Sequence, residues 1–358
     1  MFWYIFVFVI LCFFMMLSYQ VKLNRNASVF IKFIVFVCLL LFIGLRHEVG
    51  GDWGSYLRWY KSVASQGISF NLENVILEDW GYNFLNWISY KLNLGIYGVN
   101  IFCAFIFLMG LFSFLNYLGD NRKFYTGLLI SYPYLIMVVA NGYTRQSVAL
   151  GLIFLVYTLV LKGKEIAALI PLLVAFSFHK TSAIGFMAFL FGKRKKIALG
   201  VGVLAAVIGV VLFSYLQMIL QRYYEFYIGG AMTSEGGAVR AVMNLVPAVL
   251  FIFLYRPMKK RFSDSPFWLK IDITIIALCP FAFLKFTFAD RLLLYFSMIQ
   301  PLVFSRLERV LKEFEVKSFV IVATIFVYTL SMVVWLLFAV HREAWIPYQN
   351  YLMLLIGL

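Results

Sequence analysis

Residues 44–60, GLRHEVGGDWGSYLRWY, bring Arg46, His47, Glu48 and Asp52 within seven positions. A cation, an imidazole and two carboxylates are the groups that hold an anion and accept a proton from a hydroxyl. Gly50 and Gly51 between them let backbone approach a ligand closely. A second set is Phe178-His179-Lys180-Thr181-Ser182, between two apolar runs. Imidazole takes up a proton near neutrality. A neighbouring Lys180 cation favours its neutral, proton-accepting form. His179 is therefore the first candidate for a catalytic base, Asp52 the second and Glu48 the third. Further polar candidates are Glu78-Asp79, Arg145-Gln146, Arg222, Arg240, Lys285, Asp290-Arg291 and His341-Arg342-Glu343.

These groups stand out because the rest of the chain has so few. Of 358 residues, 63% are hydrophobic and only 13% charged. Apolar runs near the length of a bilayer crossing recur throughout, which predicts an all-α polytopic membrane protein. About twelve spans fit, near 2–19, 29–45, 98–118, 124–141, 147–161, 165–178, 182–192, 197–216, 241–255, 270–288, 291–304 and 318–340. The first run has no basic leader or small-residue cleavage site and reads as a retained span. The net charge of +15 does not point to nucleic acid, because it sits in short loops. Loops 20–28, 119–123, 162–164, 193–196, 256–270 and 305–317 hold 19 of the 31 Lys and Arg. By the positive-inside rule they are cytoplasmic, and both termini face outward.

The outer side then carries the long segments, 46–97 and 217–240, as caps on one integral membrane domain spanning 1–358. Within the first, Trp80, Phe84, Trp87, Ile88 and Leu92 recur at helical spacing, as in a helix lying in the membrane interface or packed on the bundle. Cys12, Cys38, Cys103 and Cys279 all lie in apolar runs, so no disulfide framework is indicated. No Walker loop, dinucleotide fingerprint or HExxH occurs, and His47, His179 and His341 are scattered. Neither a cofactor nor a metal is expected.

The spans beginning near 147, 182, 241 and 291 run inward from the outer surface, and Arg145, Lys180, Arg240 and Arg291 mark their starts. A cation at a helix N-terminus opposes the helix dipole by about 0.3–1 kcal/mol. A bound polyanion reverses the sign of that energy, and the Arg fork suits phosphate. The competing reading pairs these cations with Asp290, Glu235 or Glu225.

Four motifs resemble the EpsG/Wzy-type polysaccharide polymerase family. Leu45-Arg46 through Gly51-Asp52-Trp53 is similar to its R-x-G-V-G-x-D-aromatic stretch, with His47-Glu48 where an aromatic and a Gly are commoner. Asp79-Trp80-Gly81-Tyr82 with Leu85-Asn86 is similar to its acidic-Pro-Gly-aromatic element, Trp80 replacing Pro. Arg145-Gln146-Ser147-Val148-Ala149 resembles R-Q-x-x-A at the start of a span. Phe178-His179-Lys180-Thr181-Ser182-Ala183 resembles H-x-S-A with one extra residue. The motifs order the chain from 44 to about 190; beyond that Asp290-Arg291 is the main shared feature.

The resemblance implies a GT-C-type, lipid-sugar-using glycosyltransferase of the bacterial inner membrane with its site on the periplasmic face. It would move a growing glycan from undecaprenyl pyrophosphate onto the sugar end of another undecaprenyl-pyrophosphate-linked repeat unit, without a metal. Arg46, Arg145, Gln146, Lys180, Arg240, Arg291, Asp290, Asp79 and Tyr82 would contact substrate. The bilayer, a chain-length regulator and a flippase are the expected partners, and nucleic acid is not. A flippase of the same lipid-linked unit and a membrane O-acyltransferase are the alternatives; the product distinguishes them.

Overall fold

The computed structural model describes residues 1–68, 78–194, 196–197, 199–200, 202–203, 217, 221, 224, 236–284, 287–311 and 317–357. The described chain is almost wholly helical. Its order is α1 (Phe2–Gln20), α2 (Arg25–Gly44), β1 (Arg46–His47), α3 (Trp53–Gln66), α4 (Trp80–Lys91), α5 (Gly95–Leu118) and α6 (Asn121–Ser131). A wide π-helical stretch, Tyr132–Ala140, continues α6 and is followed by α7 (Thr144–Leu161) and α8 (Glu165–Phe178). A 3-10 turn, Lys180–Phe186, leads to α9 (Met187–Phe191). Then come α10 (Gly237–Phe253), α11 (Tyr255–Arg261), α12 (Ser265–Phe283), α13 (Thr287–Leu294), α14 (Ile299–Val310), α15 (Lys317–Phe338), β2 (Gln349–Asn350) and α16 (Tyr351–Leu355).

Among the described residues seven helical runs are long and apolar enough to cross a bilayer, and the α10–α11 pair, bent by 77°, makes an eighth if it is one broken span rather than a re-entrant loop. This confirms a multi-pass membrane protein. Among the described residues the full-length helices are fewer than the expected twelve or so. The runs at 165–178 and 182–192 form short helices, and 291–304 is broken by a turn at Tyr295–Met298. Most of the run 197–216 and of the segment 217–240 lies outside the described residues, as does the stretch 69–77.

Contacts gather into two compact units. One comprises 1–69, 81–152 and 304–358; the other comprises 70–80 and 153–303. In the first, α1 packs on α6 and α2 on α5. The buried stripe of α1, Tyr4, Phe8, Leu11 and Met15, follows helical spacing, while Phe2, Phe6 and Phe13 face outward. Helices α5 and α7 approach so closely at Gly110 and Gly151 that a side chain on either would meet the other's backbone. Small residues at such crossings let membrane helices maximise dispersion contact where burial in lipid gives little driving force. The last carbonyls of the wide turn need partners. Asn141 Nδ2 donates to Ile136 O at 3.1 Å, and Trp345 Nε1 donates to Met137 O at 3.1 Å.

Helix α4 is oriented by its polar side. Tyr82, Asn83, Asn86 and Ser89 are buried, whereas Phe84 and Leu92 are exposed. Of the apolar stripe, Phe84 and Leu92 are exposed and Trp80, Trp87 and Ile88 half-buried, while the amide-bearing face turns into the protein. In the second unit α10 packs on α12, and α12 on α13. Asn244 braces that unit: its Nδ2 donates to Leu293 O at 2.8 Å, and its Oδ1 accepts from Gln300 Nε2 at 2.9 Å.

Candidate functional site

The first outer stretch is clasped by the far end of the chain. Strand β1 pairs antiparallel with β2, Arg46 opposite Asn350 and His47 opposite Gln349. Gly50 N donates to Ala344 O at 2.7 Å, and Tyr351 N donates to Leu45 O at 2.7 Å. Gly50 has φ +102°, and a side chain there would collide with the Asn141 carbonyl, so only glycine fits both the conformation and the approach. Gly142 lies against the buried Trp345 ring with no room for a Cβ. Loop 45–53, the start of α7 and the segment after α15 are thereby locked together within one unit.

Arg46 does not face outward. It is 1% exposed, and its Nη atoms donate to Ile43 O at 2.9 Å, Asn100 Oδ1 at 3.1 Å and Thr144 Oγ1 at 2.6 Å. This arginine joins α2, α5 and the start of α7. Its guanidinium is thus an internal brace, which departs from its expected position at the surface. The next residues lie further out. His47 Nδ1 shares a hydrogen bond with the Tyr97 hydroxyl, and its Nε2 lies 3.8 Å from Glu48, whose side chain is 67% exposed.

Arg145, in the first turn of α7, is held differently. Its guanidinium lies 4.5 Å from the centroid of Trp59 and 5.8 Å from that of Tyr56, both on α3. Arg145 also hydrogen-bonds the Tyr56 hydroxyl, and Asp52 interacts electrostatically with the same group. Burial pushes that hydroxyl up to about 12; Arg145 lowers it and Asp52 raises it. It therefore keeps its proton at neutral pH. Trp59 Nε1 donates to Asn83 Oδ1 on α4, and Tyr82 packs edge-on against Trp59 at 5.6 Å. Asp52, Tyr82 and Arg145 are thus brought together by α3, α4 and α7. Gln146 follows Arg145, half-exposed. Tyr56, Trp59 and Asn83 were missed in the sequence, although Tyr56 and Trp59, three positions apart on one helix, carried a signal.

In the second unit His179 breaks the chain between α8 and the 3-10 turn in an extended conformation. Its Nδ1 lies 2.9 Å from Thr181 Oγ1, which lies 3.3 Å from the buried Tyr295 hydroxyl. Nothing in the sequence connects Tyr295 with His179, 116 positions before it. Lys180 sits over the Phe176 ring at 4.7 Å. Burial lowers its pKa, and the nearby Asp79 carboxylate partly restores it.

Of the other two cations expected at helix starts, Arg240 follows the competing reading and Arg291 departs from its expected position. Arg240 meets Asp290 through its fork, Nε to Oδ1 at 2.7 Å and Nη2 to Oδ2 at 2.6 Å. The anion at the start of α10 is therefore the protein's own carboxylate. Arg291 lies in the last turn of α13, where a cation suits the dipole. Asp290 is 8% exposed, so Arg240→Ala should take the arginine fork away from a buried carboxylate and cost about 3 kcal/mol of stability. Adding Asp290→Asn should restore most of it; a single Arg240→Ala chain that melts like the parent would contradict the pairing. Among the described residues no group of three or more His, Cys, Asp or Glu is arranged to hold a metal ion.

No curated protein and no solved structure matches the chain. The profile of the EpsG family matches residues 29–350, which takes in the clasped loop, the Arg145 cluster, the His179 turn and the Arg240–Asp290 pair. The chain belongs to the EpsG family, and with it to the membrane polysaccharide polymerases.

Proposed function

We propose that the chain transfers a growing glycan from undecaprenyl pyrophosphate to a sugar hydroxyl of a second lipid-linked repeat unit, on the outer face of the bacterial cytoplasmic membrane. The carrying observation is that a cation and a carboxylate both act on one buried hydroxyl: Arg145 lies over Tyr56 and hydrogen-bonds its hydroxyl, and Asp52 acts electrostatically on the same group. In the reaction the acceptor oxygen bonds to the anomeric carbon, and the bond from that carbon to the pyrophosphate oxygen breaks. The acceptor's proton goes to a base, and the leaving lipid pyrophosphate gains negative charge. Asp52 is assigned the base because it shares a cluster with Arg145, the cation that takes up the leaving group's charge. His179, whose Nδ1 meets a threonine hydroxyl, is the competing assignment. Arg46 orders the cluster from below. Gln146, beside Arg145, is assigned to substrate contact with it; Asp79, Lys180 and Arg291 are assigned as substrate contacts of the second unit.

The test is the product. Cells lacking the chain should accumulate lipid capped by one repeat unit in place of a ladder. Asp52→Asn should reproduce that pattern with a loss of about 10²–10⁴-fold in rate. A normal ladder in the deletion overturns the function; a normal ladder in Asp52→Asn with loss in His179→Gln moves the base to His179.

The reaction as drawn places its charge on arginine and lysine. Turnover in EDTA-washed membranes should therefore stay within about twofold of the untreated rate. Loss that Mg²⁺ or Mn²⁺ restores would make Glu48, Asp52, Glu78 and Asp79 candidates for metal ligands.

A further inference from the structure

Arg145 holds its guanidinium over two aromatic rings, and this arrangement has three parts. Trp59 lies beneath the guanidinium at 4.5 Å, with Tyr56 one helical turn away at 5.8 Å. The indole is fixed in its own plane because Nε1 donates to Asn83 Oδ1. Asn83 is 6% exposed, on the face of α4 that turns into the protein. Tyr82, from the same helix, closes the ring's edge at 5.6 Å and is fully buried.

We propose that Trp59, locked by Asn83, is the positioning residue that aims the Arg145 fork at the phosphates of the leaving lipid. This inference rests on the assignment of Arg145 to pyrophosphate made above. A guanidinium stacked on a ring keeps its plane while its N–H edge stays directed sideways, the geometry that bidentate phosphate recognition needs. Arginine on a surface helix start samples many rotamers. A ring below it removes most of them before substrate arrives, so less order must be imposed in the transition state. Tryptophan suits the task twice. Its face carries the strongest cation–π attraction, and its N–H lets the rotation of the ring be pinned. Leucine would supply bulk without either. The hydrogen bond to Asn83 also makes α4 a structural partner of α7's first turn, which gives the buried amide face of α4 a reason beyond packing.

Two measurements on the purified full-length chain in lipid nanodiscs test this. The first needs no turnover. Phenylglyoxal modification of Arg145 is followed by mass spectrometry of its peptide. Trp59→Leu should raise the rate several-fold, while Trp59→Phe, which retains a face, stays near the parent. An unchanged rate in Trp59→Leu overturns the positioning role, whatever Arg145 does.

The second uses repeat-unit lipid extracted from cells lacking the chain. Trp59→Leu should lower kcat about tenfold or more with KM within about twofold, and Trp59→Phe should recover most of it. In an Arg145→Lys background, Trp59→Leu should add less than about twofold, because the fork it aims is gone. Equal losses in both backgrounds overturn the inference. A fully active Arg145→Lys chain overturns the phosphate assignment instead, and the modification rate still decides whether Trp59 holds Arg145.

Discussion

Arg145→Lys should lower kcat about a hundredfold while binding of the lipid-linked donor weakens less than about threefold. Lysine keeps the charge at the start of α7 but cannot present two parallel N–H groups to a phosphate. A charge placed where negative charge develops acts mainly on the transition state, and losing one such donor typically costs 10²–10³ in rate. Arg145→Ala should lower kcat and binding together. Its effect on folding should be near zero, because two terms of similar size oppose each other. Removing a cation from the positive end of α7 relieves about 0.3–1 kcal/mol. Losing the stack on Trp59 costs about 0.5–1 kcal/mol. Melting temperature, donor binding and turnover separate these effects. An Arg145→Ala chain that unfolds, with its folded fraction fully active, would make Arg145 a structural tie and move the phosphate site elsewhere.

Gly110→Val should prevent stable insertion of the α5–α7 pair, costing about 3 kcal/mol or more. The Cβ of any residue at 110 would overlap the Gly151 carbonyl, and one at 151 would overlap the backbone of Phe107. Backbone atoms of two packed helices cannot yield as the end of a flexible side chain can. Over-packed cores usually lose about 1–3 kcal/mol, and a backbone clash lies at or beyond the upper end. The measurement is the fraction of chain that elutes monodisperse from detergent and its melting temperature. Gly163→Val serves as the comparison, since open space surrounds Gly163, although its φ of +73° adds local strain. If Gly110→Val matches the parent in both readouts, the helices do not cross there.

The membrane class, the helical character of the chain and its family were legible in the sequence, because each depends on composition or on motifs only a few residues long. A run of twenty apolar residues must satisfy its backbone internally wherever it sits in lipid. The number of full crossings was less legible, because length and hydropathy do not mark a break such as the turn at Tyr295–Met298 inside 291–304.

Charge partners were the part that the sequence left open. Arg46, Arg145, Arg240 and Arg291 look alike as outer arginines, yet four different surroundings receive them. One is buried among carbonyl, amide and hydroxyl acceptors, one is laid on Trp59, one is forked onto Asp290, and one ends a short helix. An arginine's role follows from what stands within a few ångströms of its fork. That is set by residues 98 positions away for Arg46 and Thr144, 86 for Arg145 and Trp59, and 50 for Arg240 and Asp290. The clasp of β2 on β1 is a longer link still: residues near 350 fix a loop near 46 through backbone hydrogen bonds, which any sequence can form and which therefore leave no mark in side-chain pattern.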